Sequence, residues 1–146
     1  KSLLQHFLPL KIREKIINQL FKLFVCADQK YFAEALYMNQ REIQEMHKNS
    51  MTFGSHGNYH YWFEYLSKKK QIVEIDKSIK FFKDLGVFDE NFSVCYPYGS
   101  YNAASLEILK KYNVKFGLTT KVGEVNSKNI AQKFLLPRYD TNDFDI

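Results

Sequence analysis

His56 and His60 stand four residues apart in Gly54-Ser55-His56-Gly57-Asn58-Tyr59-His60. On a helix or helical turn, side chains at i and i+4 leave from one face about one turn apart. Two imidazoles placed that way can share one divalent cation, and imidazole nitrogen is a good ligand for zinc and its neighbours. The residues before the pair, 51–55, read as a short strand with a glycine near its end. α/β folds keep their sites at the C-terminal ends of strands. An isolated pair is nevertheless more often just two loop histidines, because two ligands do not complete a metal site.

A second segment changes that balance. Tyr96-Pro97-Tyr98-Gly99-Ser100-Tyr101-Asn102 follows the apolar run Phe92-Ser93-Val94-Cys95 and leads into a helix capped by Asn102. Proline fixes φ, glycine opens conformations closed to other residues, and tyrosines present flat faces with polar tips. Strand, rigid aromatic turn and helix again put polar groups at the C-terminal end of a strand. Taken alone, Pro-Tyr-Gly is an ordinary tight turn.

The elements that must position these residues alternate. Residues 51–146 read as strand 51–55, helix 67–85, strand 92–96, helix 102–112, strand 114–119, a loop, and strand 133–139. Such alternation argues for parallel strands in an α/β architecture. Helix 67–85 opens with Lys68-Lys69-Lys70, a solvated face, and carries the apolar stripe Ile72, Ile75, Ile79 and Phe82. Residues 1–50 read as helical throughout. Pro9 starts a helix with the stripe Ile12, Ile16, Leu20 and Leu23, and a second helix covers about 29–37. A third begins at Asn39, which forms a capping pair with Glu42.

Composition bounds the function classes. The chain has 146 residues, enough for one domain with a core, and its 45% apolar and 25% charged content is that of a globular protein. The net charge of +5 comes from lysines on helix faces, with no arginine–aromatic patch that would point to nucleic acid. No apolar run reaches the length of a membrane span. Cys26 and Cys95 lie far apart in apolar surroundings and read as buried thiols rather than a bridge. Aromatic content is high, at 16%. The phenylalanines are assigned to the core, whereas Trp62, Tyr96, Tyr98 and Tyr101 also suit stacking on a sugar ring.

Together the two motifs resemble those of the polysaccharide deacetylase family, the NodB-homology or carbohydrate esterase family 4 group. The histidine segment looks like the family's H-[ST]-x-x-H metal motif, with Gly57 in the hydroxyl position. Tyr96-Pro97-Tyr98-Gly99 looks like its R-x-P-Y-G motif, with Cys95 where the arginine is expected. Residues 41–48 resemble the helix that leads into the histidines, and the resemblance runs over about residues 39–143. It implies a partial distorted (β/α) barrel of the NodB-homology type. Within it, 1–50 is a helical N-terminal region, an insertion or lid, and 51–146 is the C-terminal part of the α/β domain. It also implies a metal-dependent N-deacetylase that hydrolyses acetyl groups from N-acetylated sugars. His56 and His60 would hold the metal, zinc by ligand type, and Tyr96, Pro97, Tyr98 and Gly99 would line the substrate groove. Backbone N–H groups near Tyr98 and Gly99 would face the oxyanion. Arg138, in Leu136-Pro137-Arg138-Tyr139, would reach in from a later strand as an orienting residue.

Several family features are missing. The T-F-D-D-G motif, which supplies the base and an aspartate ligand, does not occur, and no histidine after residue 60 matches the late acid. With a first residue of Lys1, the expectation is an N-terminally truncated fragment that holds metal weakly and turns over little alone. Two alternatives stay open: a non-catalytic binding or scaffold domain, or an amidase of related fold acting on a small non-sugar amide. Oligomerisation through an exposed strand edge is a further expectation. The compartment, cytoplasmic or cell-envelope, is left open.

Overall fold

The structure, a computed structural model, describes residues 3–144. The chain forms two compact units, Lys1–Ile43 and Gln44–Ile146.

The first unit is helical. Pro9 stands at the N-cap of α1 (Leu10–Phe24) with φ −52°, the value its ring imposes. Asp28 caps α2 (Gln29–Leu36) by accepting from the N–H groups of Lys30 and Tyr31, both at 3.0 Å. Phe21 and Phe32 meet edge to face at 5.0 Å. The capping pair at the start of α3 (Gln40–Lys48) is reciprocal. Glu42 N–H donates to Asn39 Oδ1 at 3.0 Å, and Asn39 N–H donates to Glu42 Oε2 at 2.8 Å. Neither α1 nor α2 has a buried residue. The apolar stripe of α1 exists but is open, with Leu23 76% exposed.

The second unit holds α4 (Lys68–Asp84), β1 (Ser93–Cys95), α5 (Ala103–Lys111) and β2 (Phe116–Leu118). β1 and β2 pair in parallel with Val94 opposite Gly117. Single parallel bridges extend the sheet on both sides, Ser55 to Val94 and Leu118 to Leu136. Four chain segments therefore lie side by side in sequence order, with α4 and α5 as crossovers. That is the pattern of a stretch of barrel wall.

Strands 51–55 and 133–139 are much shorter than the sequence pattern implies, since each reduces to one bridging residue. Gly54 lies so close to the neighbouring backbone that a Cβ there would be 2.8 Å from the Ser93 carbonyl oxygen, and the chain leaves the sheet two residues later. At the other edge Pro137 has no N–H to extend the ladder. Just before it, Leu135 N–H folds back to Gln132 O at 2.7 Å.

The core gathers Phe63, Ile75, Ile79, Phe92, Val94, Tyr96, Ile108, Leu109 and Val114. Ile75 and Ile79 of the expected stripe are buried, while Ile72 and Phe82 pack against them half-exposed. Lys68, Lys69 and Lys70 face solvent. Both cysteines are free, but each is half-buried rather than fully enclosed. The C-terminal ends of the four parallel segments carry His56, the turn Pro97–Gly99, Thr119-Thr120 and Pro137-Arg138.

Candidate active site

His56 leaves the sheet directly after Ser55, whose N–H and C=O pair with Ser93 O and Cys95 N at 2.8 Å each. The segment that follows is a loop, not the helical turn that the spacing suggests. Gly57 (φ 75°) and His60 (φ 59°) both adopt left-handed backbone and curl the chain so that the two rings converge. Ring centroids lie 4.6 Å apart and the two Nε2 atoms 3.0 Å apart. His56 Nδ1 is 2.8 Å from Cys95 O. A carbonyl only accepts, so Nδ1 carries the proton and Nε2 offers its lone pair. Metal-bound imidazoles are oriented by the same kind of support. Burial, and then the neighbouring His56, hold the His60 pKa below its ordinary 6.5.

Two nitrogens on a tetrahedral zinc, each about 2.0–2.1 Å from the ion, lie roughly 3.3 Å apart. The observed 3.0 Å separation is a little shorter, that of a hydrogen bond from one ring nitrogen to the other. Among the described residues, no group of three His, Cys, Asp or Glu side chains gathers for a metal.

The tyrosine turn closes on this pair. Tyr98 adopts φ 58° and ψ 16°, and its ring stands 4.7 Å from that of His60 while stacking on Trp62 at 4.6 Å. Gly99 (φ 69°) cannot be replaced without displacement, since a Cβ would sit 2.2 Å from Thr120 Oγ1. Ser100 Oγ accepts Glu64 N–H at 3.0 Å and so ties the turn to the segment carrying Trp62.

The four turn residues divide. Tyr98 is exposed, but Tyr96 and Pro97 are buried, so the Tyr96 ring is a core group and not a groove wall. Its hydroxyl donates to Phe134 O at 2.8 Å, and burial pushes its pKa up. Gly99 N–H donates to Tyr96 O at 2.9 Å inside the turn, which removes it as an oxyanion donor and leaves the Tyr98 N–H of the two considered.

Arg138 is exposed and donates from Nε to Thr119 O at 2.9 Å. Burial pushes the Cys95 thiol pKa up, and the Arg138 charge opposes that rise. Beyond the turn lies a cleft of about 310 Å³ lined by Gly99, Tyr101, Thr119, Thr120 and Lys121 among others.

Sequence reasoning missed Glu74 and Ser78. Glu74 is 2% exposed, and its Oε2 accepts the N–H groups of Asn58 at 2.9 Å and Tyr59 at 2.8 Å. Ser78 donates to Ser55 Oγ at 2.7 Å, and that oxygen accepts Gly57 N–H at 3.0 Å. A signal was available: Gln71, Glu74 and Ser78 recur at helical spacing as a polar stripe beside the apolar one.

A profile of the family described as polysaccharide deacetylase matches residues 17–117. The chain belongs to the polysaccharide deacetylase family. Its fold is similar to that of Streptococcus pyogenes deacetylase PplD, solved in complex with acetate. The TM-score is 0.66 at 22% identity, over 85% of this chain and 57% of that one. It is also similar to the BpsB deacetylase domain from Bordetella bronchiseptica, with a TM-score of 0.55 at 16% identity over 70% of this chain and 48% of that one. These likenesses show a partial NodB-type α/β fold, and this chain spans only about half the length of each structure. No curated protein matches the sequence.

Proposed function

We propose that this chain carries the imidazole pair and tyrosine turn of a metal-dependent N-deacetylase acting on N-acetylated glycans. The observation that supports this most is the convergence of the two Nε2 atoms to 3.0 Å, with His56 Nδ1 occupied by Cys95 O and the Tyr98 ring beside His60. Zinc is a good match for imidazole ligands. When bound, the ion would polarise an acetyl carbonyl and make water a better nucleophile near neutral pH.

The chain's own residues would then do the following. His56 and His60 hold the cation, with His56 fixed in one tautomer. Tyr98 and Trp62 give an aromatic wall against which a sugar can pack, and the Tyr98 N–H can face a developing oxyanion. Arg138, held by its bond to Thr119 O, is the candidate orienting residue. The open setting, with His56, His60 and Tyr98 all exposed, favours a glycan over a small amide, which would need an enclosed pocket.

Two imidazoles without a carboxylate hold zinc weakly, so the 146 residues on their own should hydrolyse acetyl groups slowly. The test is titration with cobalt, whose absorption reports ligation, in parallel with acetate release from acetylated chitooligosaccharides. Expected is weak saturable binding that His56→Ala and His60→Ala each abolish, with slow acetate release lost in the same variants. Saturable binding without any acetate release would favour a glycan-binding domain. No cobalt binding at all would refute the metal assignment.

A further inference from the structure

Helix α4 buries three polar side chains on one face: Gln71 at 1%, Glu74 at 2% and Ser78 at 6% exposure. Burying polar groups is costly unless each finds partners, and apolar residues at the same positions would extend the core at no such cost. The partners here are specific. Gln71 Nε2 donates to Phe63 O at 2.9 Å and Leu66 O at 3.1 Å, and its Oε1 accepts Ser105 Oγ–H at 2.7 Å. That holds the segment just after Trp62. Glu74 and Ser78 hold the loop between the two histidines from below. One carboxylate oxygen accepts two successive N–H groups, at 2.9 and 2.8 Å, and the serine pair fixes the loop's start.

We propose that Glu74 is the positioning residue of the imidazole pair, and that its buried carboxylate sets the distance between His56 and His60. This rests on the metal-site assignment made above. The two amides it holds, Asn58 and Tyr59, are the residues between Gly57 and His60. Their orientation decides where the left-handed turn at His60 begins. Left-handed backbone at a non-glycine residue costs about 1–2 kcal/mol and persists only where the surroundings impose it. A carboxylate holding two N–H groups supplies that constraint, and charge-assisted bonds of this kind are about twice as strong as neutral ones. Glycine at 57 belongs to the same device. A Cβ there would lie 3.3 Å from Glu74 Oε2, and φ 75° disfavours one.

The test compares the wild-type chain with Glu74→Gln, Glu74→Asp and Ser78→Ala. Three readouts are used: melting temperature, cobalt affinity, and the NMR cross-peak between the His56 and His60 rings. Expected for Glu74→Gln is a folded protein with a modest drop in melting temperature. Its cobalt affinity falls about 10–100-fold, as when the support of a metal ligand is removed, and the ring-to-ring cross-peak weakens or disappears. Glu74→Asp, which keeps the charge, recovers part of both. Unchanged affinity and an intact cross-peak in a folded Glu74→Gln overturn the proposal. If the wild type binds no cobalt, the metal assignment fails and the cross-peak alone decides: its loss in Glu74→Gln at near-constant melting temperature sustains the positioning role, and its persistence ends it. If Glu74→Gln fails to fold, Glu74→Asp and Ser78→Ala carry the same comparison.

Discussion

At the scale of single residues, two imidazoles 3.0 Å apart cannot both take a proton readily, and the structure registers this at His60. Its pKa is lowered by burial first and by His56 second. The consequence for stability has a definite sign. In the unfolded chain His60 titrates near 6.5, whereas in the folded chain it resists protonation, so below 6.5 the unfolded state binds more protons. Stability therefore falls as pH drops through 6.5 toward the folded pKa, and levels off below it. In chelator-treated protein, the melting temperature of the wild type should decline across this window relative to His60→Gln, which lacks the group. Parallel curves for the two proteins between pH 7.5 and 5.5 would mean that the rings do not interact in solution. The pair itself was readable from its spacing, and Tyr98 from its motif. The route to convergence was not. Spacing of four suggested a helical face, but Gly57 and His60 reach the same juxtaposition with left-handed backbone. Gly57 is a local sign of such a turn, but the left-handed backbone at His60 has none in its residue type, because Glu74 imposes it from another element.

At the scale of elements, α4 was legible in extent and apolar face, and its ends moved by a single residue from the expected 67–85. Its polar stripe was hidden because apolar periodicity alone was followed. Gln71 ties the segment Phe63–Leu66 and the N-terminus of α5 to α4 through buried and part-buried hydrogen bonds. Gln71→Leu keeps the volume but takes one of two donors from the Phe63 carbonyl, which keeps the Leu66 N–H at 3.0 Å, and the closest acceptor from the Ser105 hydroxyl, which keeps Asn102 Oδ1 at 3.3 Å. It should cost about 1–3 kcal/mol in urea denaturation. Ser105→Ala breaks the same Ser105–Gln71 bond, so the double variant should lose less than the sum of the singles. Simple additivity would show that the network is not coupled. The strands, by contrast, were overcalled at both edges of the sheet. Alternation located Ser55 and Leu136, but the length of a ladder depends on a neighbour's backbone and on Pro137. Segment patterns do not encode the first of these.

For the whole molecule, burial is unevenly distributed, and this determines which parts open first. The second unit contains the shared core, with Val94 and Leu109 fully enclosed. α1 and α2 contribute no buried residue, and Leu23 and Phe24 are 76% and 79% exposed. Helices of 15 and 8 residues with no buried residue are marginal in water, because propagation barely offsets nucleation. The capping by Asp28, worth about 0.5–2 kcal/mol, helps but does not replace tertiary packing. Amide exchange in the native state should therefore separate the two units. Amides of α1 and α2 should exchange through local opening at small free-energy cost. Those of β1, β2 and the buried faces of α4 and α5 should exchange only at the cost of global unfolding. Mild denaturant should accelerate the second group with a large slope and leave the first almost unaffected, since little surface is exposed when an unpacked helix frays. If α1 amides instead showed the protection and denaturant slope of α4, the apolar stripe Ile12–Ile16–Leu20–Leu23 would have to be covered in solution.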